Sequence, residues 1–260
     1  MPPLVLYTFI VIFFLPIMAS AQVPSHETYG TVILDNHSKE AGVAPVIFDH
    51  WLHRAKFTCK LCHVDIGFTM KAEATEIRAV DNINGYYCGS CHDGRRVIED
   101  KKIFAACAVK YTEEEGKRCA RCHSVGRTGQ RKYNFKTFTA NLPRLFGDLI
   151  DWETAEKQRK IKPTDFLEGI SYKREALKAQ KDFAMEVRSL RWADVIFSHK
   201  KHIVWNGCEV CHPMIFPSTK KGTVKYSMDE IMEGEYCGVC HLSVAFSMWL
   251  CHKCHKGNVR

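Results

Sequence analysis

The pentapeptide Cys59-Lys-Leu-Cys62-His63 determines how the rest of this chain is interpreted. It is a Cys-x-x-Cys-His motif, and the 260-residue sequence contains six of them, which use 12 of its 13 cysteines. The other five are Cys88-Gly-Ser-Cys91-His92, Cys119-Ala-Arg-Cys122-His123, Cys208-Glu-Val-Cys211-His212, Cys237-Gly-Val-Cys240-His241 and Cys251-His-Lys-Cys254-His255.

The motif is the attachment signature of c-type haem. Its two thiols reach the two vinyl groups of one porphyrin and form thioethers, and the following histidine becomes the proximal iron ligand. Structural zinc pairs two Cys-x-x-Cys units or uses spaced histidines, and a disulfide framework has no use for the histidines. The sequence therefore predicts six covalent haems (haem c, with iron) rather than zinc or disulfides. The predicted proximal ligands are His63, His92, His123, His212, His241 and His255.

The motifs lie in a duplicated sequence. An offset of 149 residues aligns the stretch from Phe48 to His92 with the stretch from Phe197 to His241 without a gap. Only the third motif of each half leaves this register. The period is too long for a solenoid repeat, so we expect two three-haem modules over residues 46–124 and 194–260. Residues 22–45 form an extended lead-in, with a short strand at Thr31–Leu34, and residues 125–193 form a connector.

The first 21 residues have the pattern of a secretory signal peptide. An apolar stretch from Leu4 to Ile17 is followed by the small-residue site Ala19-Ser20-Ala21, although no Lys or Arg precedes it. An uncleaved anchor is the alternative, but the stretch is short for a membrane span, which needs about 20 apolar residues. We expect cleavage after Ala21 and a mature protein in the periplasm or at the outer cell surface.

A second ligand for several irons is predicted by two copies of a Phe-x-His-x-x-His pattern. They are Phe48-Asp-His50-Trp-Leu-His53 and Phe197-Ser-His199-Lys-Lys-His202, and each precedes the first motif of its module. Histidines three residues apart project from nearly one face of a helical turn. A single element could therefore supply distal ligands to two neighbouring haems.

This order of motifs resembles the class III (c3/c7-type) multihaem cytochromes c, in their three-haem form. The resemblance covers both modules and implies that the first histidine of each pair ligates the first haem of its module and the second ligates the second haem. It also implies a mainly irregular fold with short α-helices, in which two c7-like modules have cores built around covalent haems and are joined by a partly helical connector. The function it implies is electron transfer in anaerobic respiration, including the respiration of metals.

The third haem of each module departs from the family pattern. Family members commonly place a further histidine between the first two motifs, and neither module has one there. In the second module Met228 and Met232 occupy that interval, and we favour Met228 as the sixth ligand at Cys251/Cys254, since a thioether is a workable ligand. For the iron at Cys119/Cys122, Met70, His26 and His37 all stay open.

Two other side chains that can bind metals are expected not to be ligands. His252 lies inside its own Cys-x-x-Cys loop, where geometry disfavours ligation of that iron, so we expect it to be exposed. Cys107 is the thirteenth cysteine and is interpreted as a buried inert thiol, with a haem ligand or a redox-active thiol as the alternatives.

The connector has a weaker pattern. Leu145, Leu149 and Trp152 are spaced for one face of a short helix that continues through Asp151–Ile161 and is ended by Pro163. A second, charged helix is expected over Lys173–Arg188. We expect this segment to pack on both modules rather than to dock a partner.

The formal net charge of +8 does not indicate nucleic-acid binding. Each haem brings two propionates, so six haems contribute about −12 when ionised, and lysines such as Lys200 and Lys201 are expected to pair with them. If all six irons have two protein ligands, the protein is an electron carrier and not an enzyme. Its partners are then other cytochromes or a membrane quinol oxidoreductase, together with a terminal acceptor. The alternatives are a reductase with one open haem, most plausibly at Cys119/Cys122, and a subunit of a larger cytochrome complex or filament that docks through residues 125–190.

Overall fold

The computed structural model describes residues 30–110, 112–124, 134–145, 149–175, 178, 181–187 and 191–257. The predicted signal peptide, its cleavage site and His26 lie outside these residues. Within the described part of the chain, none of the helices combines the length and the apolar character that crossing a bilayer requires.

Both modules consist of short elements separated by irregular chain. The lead-in contributes β1 (Thr31–Leu34), and the first module contains β2 (Val46–Asp49), α1 (His50–Arg54), a π-helix (Leu61–Ile66), α2 (Ala79–Ile83), a 3-10 helix (Tyr87–Ser90), β3 (Val97–Ile98), β4 (Lys101–Lys102) and α3 (Glu113–Cys119). The connector contributes α4 (Phe135–Thr139), α5 (Trp152–Lys157) and β5 (Phe183–Met185). The second module contains β6 (Val195–Phe197), α6 (His199–Asn206), α7 (Met228–Met232), α8 (Gly238–His241) and α9 (Cys251–Cys254). This architecture confirms the expected fold of two largely irregular modules.

The duplication is visible in the structure residue by residue. Helices α2 and α7 begin and end at positions related by the same 149-residue offset. An acidic residue in the first turn of each, Asp81 and Glu230, accepts a hydrogen bond from the backbone N–H of the preceding cap residue, at 2.9 Å in both helices. Such bonds satisfy amides that the helix itself leaves unpaired.

Each module is closed by contact between its first strand and its third motif. Val46 forms a β-bridge with His123, and Val195 forms the equivalent bridge with His255. The strands on the other side also correspond, because β1 pairs antiparallel with β2 and β5 pairs antiparallel with β6. The third motifs are therefore held against the start of the modules although they lie outside the aligned register.

The structure corrects two expectations for the connector. Helix α5 ends at Lys157, well before Pro163, and Leu145 and Leu149 precede it. In place of the helix predicted over Lys173–Arg188, the described residues contain strand β5. The cause is tertiary: Phe183 pairs with Phe197 in β6, with ring centres 5.5 Å apart, and this pairing outweighs the helical preference of the charged residues around it. The strand predicted at Thr31–Leu34 is confirmed.

The apolar core of the described residues is small and lies where the connector meets the two modules. Ala55, Ala155 and Ile161 are buried, and four larger side chains pack on them. These are Phe138, Leu142, Trp152 and Trp205. Helix α5 therefore lies between α1 of the first module and α6 of the second, which confirms a partly helical connector between the modules.

The second motif of each module requires glycine at its first variable position. A Cβ atom on Gly89 would lie 1.9 Å from the backbone oxygen of Asn82, and one on Gly238 would lie 2.0 Å from that of Ile231. The obstructing atoms are backbone atoms of the helix that precedes each motif, α2 for Asn82 and α7 for Ile231. They therefore cannot rotate away as a flexible side chain would. The sequence Cys-Gly-x-Cys-His is therefore explained by close packing of the motif on the helix before it.

We expect Gly89→Ala and Gly238→Ala each to lower the free energy of unfolding of the haem-loaded protein by about 2–3 kcal/mol, since overpacking costs this much. Urea titration followed by circular dichroism measures the change. Gly222→Ala is the control, because that glycine has a φ of 82° but no atom within 4 Å of the place that a Cβ would take. Its cost should be only that of the left-handed backbone, about 1 kcal/mol. Equal losses in all three variants would contradict the packing explanation.

Candidate haem-binding sites

Every Cys-x-x-Cys-His motif forms about one helical turn. In five of them the backbone N–H of the histidine donates to the carbonyl oxygen of the first cysteine, for example at 2.8 Å from His92 to Cys88 and from His123 to Cys119. In the first motif, a π-helix begins at Leu61, the second variable residue, and continues to Ile66. A single turn brings both thiols and the imidazole to one side of the backbone, as attachment to one porphyrin requires. All 13 cysteines are described, and none forms a disulfide.

The six motif histidines share one hydrogen bond. Nδ1 of each imidazole donates to a backbone carbonyl oxygen, which leaves Nε2 as the atom available to a metal. The acceptors are Phe68 for His63 (2.9 Å), Phe104 for His92 (3.3 Å), Ala44 for His123 (2.7 Å), Phe216 for His212 (2.7 Å), Phe246 for His241 (2.8 Å) and Ala193 for His255 (2.7 Å). Such outer bonds fix the tautomer and the direction of a ligating imidazole.

The four predicted distal histidines are anchored in the same way. His50 donates from Nδ1 to Gly30 at 2.9 Å, and His53 to Asp49 at 3.4 Å. In the second module the acceptors are Lys181 for His199 (3.3 Å) and Ser198 for His202 (2.8 Å). The phenylalanine that opens each Phe-x-His-x-x-His pattern packs on both of its histidines.

Three of the four predicted imidazole pairs face each other in the structure. The ring centres of His50 and His63 are 6.4 Å apart with planes 7° from parallel. Those of His53 and His92, and of His202 and His241, are both 6.3 Å apart, with planes at 55° and 65°. A metal–nitrogen bond of ~2 Å on each side, with about 1 Å from each nitrogen to its ring centre, puts two imidazoles roughly 6 Å apart. The pairs therefore fit one iron between them.

The fourth predicted pair is not brought together in this way. The ring of His199 contacts Phe183 at 5.4 Å and Phe197 at 4.9 Å, and the ring of His212 contacts Phe216. A shared iron for His199 and His212 stays a prediction.

The protonation of these imidazoles suits metal binding. Burial lowers the pKa of His50, of His53 and of His241 to about 4 each, and burial also lowers the pKa of His202. Imidazole ligates metals in its neutral form. These side chains are therefore neutral at pH 7 without any bound metal.

The third motifs have different surroundings. Among described residues, no ring contact joins His123 or His255 to another imidazole. The ring of His255 instead contacts the indole of Trp192, with ring centres 5.3 Å apart. His37, one of the open candidates for the first of these irons, has its Nε2 buried, and the described residues give that atom no hydrogen-bond partner. Met228 and Met232 lie one turn apart on α7 and are 48% and 40% exposed. Ligation by His37, Met70 or Met228 stays a prediction.

Cys107 lies beside the second and third motifs of the first module. Its sulfur is 3.8 Å from Nδ2 of Asn82, and burial raises the pKa of its thiol. It is half-buried rather than buried, and its inertness stays a prediction. His252 lies on α9 and is exposed.

The ion pairs that join the connector to the first motif are not among the features predicted from the sequence. Lys60, the first variable residue of that motif, is buried and binds Asp165 at 2.7 Å. The Asp65 side chain is 3% exposed, and its carboxylate accepts hydrogen bonds from both terminal guanidinium nitrogens of Arg174. In the second module, Lys201 binds Glu153 of α5 at 2.8 Å. No local pattern indicates these pairs, because their partners are far apart in the sequence.

In the described residues, no group of three or more His, Cys, Asp or Glu side chains is arranged to hold an ion. The family model described as "Cytochrome c7 and related cytochrome c" matches residues 46–124 and 195–256, which is more than half of the chain. This chain belongs to the cytochrome c7 family. It is a multihaem c-type cytochrome with covalent haem c, built on a duplicated c7-type module.

Similar solved structures are also multihaem proteins. The C-terminal hexahaem fragment of GSU1996 is 22% identical with a TM-score of 0.25, covering 86% of this chain and 96% of that chain. Its N-terminal hexahaem fragment is 20% identical with a TM-score of 0.26, covering 88% and 99%. The dodecahaem cytochrome c GSU1996 is 22% identical with a TM-score of 0.28, covering 88% and 74%. The search of curated proteins found no significant match.

We expect Arg174→Ala to lower the free energy of unfolding by about 2–3 kcal/mol, near the lower end of the cost of breaking a buried pair, because it leaves Asp65 buried and unpaired. Urea titration of the haem-loaded cytochrome measures the loss. Lys157→Ala is the control, since Lys157 pairs with Glu153 on the surface and its removal should change the midpoint very little. Restoration of most of the loss by the double variant Asp65→Asn/Arg174→Ala would support the pairing, and a neutral Arg174→Ala would contradict it.

Proposed function

We propose that this c7-type cytochrome carries six haems and relays electrons between redox partners outside the cytoplasm. The observation that carries the proposal is the set of ten histidines anchored through Nδ1, three pairs of which face each other at 6.3–6.4 Å. When bound, haem iron supplies reversible one-electron chemistry. At the three facing pairs, the chain supplies both imidazoles that would confine that chemistry to electron transfer.

The thiols and imidazoles have separate roles. The 12 motif cysteines are proposed to hold the porphyrins by thioether bonds, which fix each cofactor to its backbone turn. The paired imidazoles are proposed to be the two axial ligands of an iron, as His50 and His63 would be for the first haem. A filled axial position leaves no place for a substrate to coordinate, so the protein acts as a carrier rather than an enzyme.

The partners and location follow from this role as part of the proposal. Attachment of c-type haem takes place outside the cytoplasm, and the leader predicted at residues 1–21 agrees with export to the periplasm or outer surface. We propose that the donor is another cytochrome or a membrane quinol oxidoreductase and that the acceptor belongs to an anaerobic respiratory chain, extracellular metal included. With about −12 from propionates, the +8 chain becomes near neutral or mildly acidic.

A second candidate function is a reductase with one open haem at Cys119/Cys122. The observation in its favour is that His123, like His212 and His255 but unlike His63, His92 and His241, has no ring contact with another imidazole in the described chain. Of these three, only the haem of His123 has no favoured sixth ligand in the sequence. Carbon monoxide binding to the reduced protein separates the two, because it needs an open axial position. Binding at one haem per molecule would favour the reductase, and none would favour the carrier.

The haem number is tested directly by expressing the full chain with a cytochrome c maturation system. The pyridine haemochrome absorbance, divided by protein concentration from amino-acid analysis, should give six haems per chain. Intact mass should show the same number, together with loss of residues 1–21. A ratio of five or fewer in homogeneous protein would contradict the proposal.

We expect His53→Ala and His202→Ala each to convert one low-spin iron to a high-spin iron, because each removes an imidazole that faces a motif histidine. Low-temperature electron paramagnetic resonance of the oxidised protein measures one high-spin centre per molecule. The control is His252→Ala, which removes an exposed imidazole and should leave the spectrum unchanged. An unaltered low-spin spectrum in both distal variants would show that these residues are not ligands.

A further inference from the structure

Arg54 lies where the two modules and the connector meet. It ends α1, one helical turn after His50. Its guanidinium carbon is 4.6 Å from the ring centre of Trp152 in the connector and 5.8 Å from that of Trp205 in the second module. A guanidinium between two indoles is held in both position and orientation, because the planar group is attracted by each ring face.

Arg54 also binds the segment that supports a motif histidine of the other module. Its Nη1 donates a hydrogen bond to the backbone oxygen of Val244, 190 residues away in the sequence. Two residues later, the carbonyl of Phe246 accepts the Nδ1 hydrogen bond of His241 at 2.8 Å, and the two rings lie 4.2 Å apart. Arg54 therefore fixes the loop that orients His241 against the helix that carries His50.

The same junction is packed through Gly30. Its carbonyl accepts the Nδ1 hydrogen bond of His50 at 2.9 Å. A Cβ on Gly30 would lie 3.5 Å from the oxygen of Ser243 and 3.9 Å from Val244. The backbone that orients His50 thus passes so close to the Ser243–Val244 segment that a side chain at position 30 would contact it.

We propose that Arg54 is the positioning residue for electron exchange between the two modules, acting by holding the His241 loop against the His50 helix. With haem bound, His50 and His63 would hold one iron and His202 and His241 another, and the exchange would move one electron between these two centres, in either direction. No bond breaks and no proton moves. The inference rests on the proposed relay function, and it adds the place at which the relay crosses from one module to the other.

The duplication supports a role specific to this junction. The residue at the position equivalent to Arg54 in the second module is Ile203, so the cation occurs in one module only. A residue needed for haem binding within a module would be expected in both copies. Arg54 instead has its indole and carbonyl partners in the connector and the second module.

The experiment compares Arg54→Met and Arg54→Lys with wild type as six-haem protein. Hydrogen exchange of the backbone amides of residues 243–248 measures how stable the loop is against local opening. Pulse radiolysis measures the rate of electron equilibration between the modules. A redox titration resolved by nuclear magnetic resonance measures the potential of each iron. Arg96→Met is the matched control, because Arg96 also donates to a backbone carbonyl of another segment, that of Glu168 at 2.9 Å, but its partners in the described chain lie in the connector and in its own module.

For Arg54→Met we expect exchange in 243–248 to rise about tenfold and inter-module equilibration to slow at least threefold. The oxidised-to-reduced ratio of the two irons at a fixed potential should rise several-fold, because loss of a nearby positive charge favours the ferric state (a tenfold ratio corresponds to about 59 mV for one electron). Arg54→Lys keeps the charge but not the planar fork. In Arg54→Lys the oxidised-to-reduced ratio should therefore stay within about twofold of wild type, while hydrogen exchange in 243–248 still rises and inter-module equilibration still slows. If Arg54→Met fails to load haem, Arg54→Lys alone tests the proposal.

Equilibration within twofold of wild type in Arg54→Lys would overturn the proposal, even if loop exchange rises, because Arg54 would then be structural only. Slowing of the same size in Arg96→Met would overturn it too. The proposed function fails differently: wild-type protein would then hold fewer than six haems or would not exchange electrons between modules at all.

Discussion

The hydrogen bond from histidine Nδ1 to a backbone carbonyl is the interaction on which the rest of the fold depends. Ten imidazoles make it, and several acceptors lie far from their donors along the chain. Gly30 and Ala44 in the lead-in serve His50 and His123, and Ala193 serves His255. An imidazole whose Nδ1 is fixed can point Nε2 in one direction only. Segments that lack regular structure are thus ordered by the carbonyls that they supply.

This constraint explains why so little apolar core is needed. Within the described residues the principal buried cluster, around Ala155 and Ile161, lies at the junction between the modules and not inside them. A module of fewer than 80 residues buries too small an area to be stable on side chains alone. Covalent porphyrins, large and apolar, take the place of that missing core. Ladders of hydrogen bonds, short helices and strands of two to four residues then suffice to position the ligands.

The sequence predicts those features that depend on local covalent chemistry. The motif spacing, the duplication and the strand at Thr31–Leu34 follow from neighbouring residues, and the facing of His50 with His63 agrees with the family pattern. What it could not predict depends on partners far apart in the chain. The pairing of β5 with β6 replaced the helix expected over Lys173–Arg188. Arg174 reaches Asp65 over 109 residues, and nothing near either residue indicates the contact.

The two modules have diverged where they face each other. Lys60 and Glu209 occupy equivalent positions in the first motif of each module, yet they carry opposite charges and both approach Gly207: a Cβ there would lie 3.6 Å from Lys60 and 2.7 Å from Glu209. Arg54 and Ile203 also occupy equivalent positions, and only the first of them carries a charge. By contrast, Gly89 and Gly238 are unchanged, because both modules need the same close approach within the motif. Both glycines are therefore kept where each module needs the same close approach. Lys60 and Arg54 instead have partners outside their own module, Asp165 of the connector and Val244 of the second module, and the equivalent positions carry different residues.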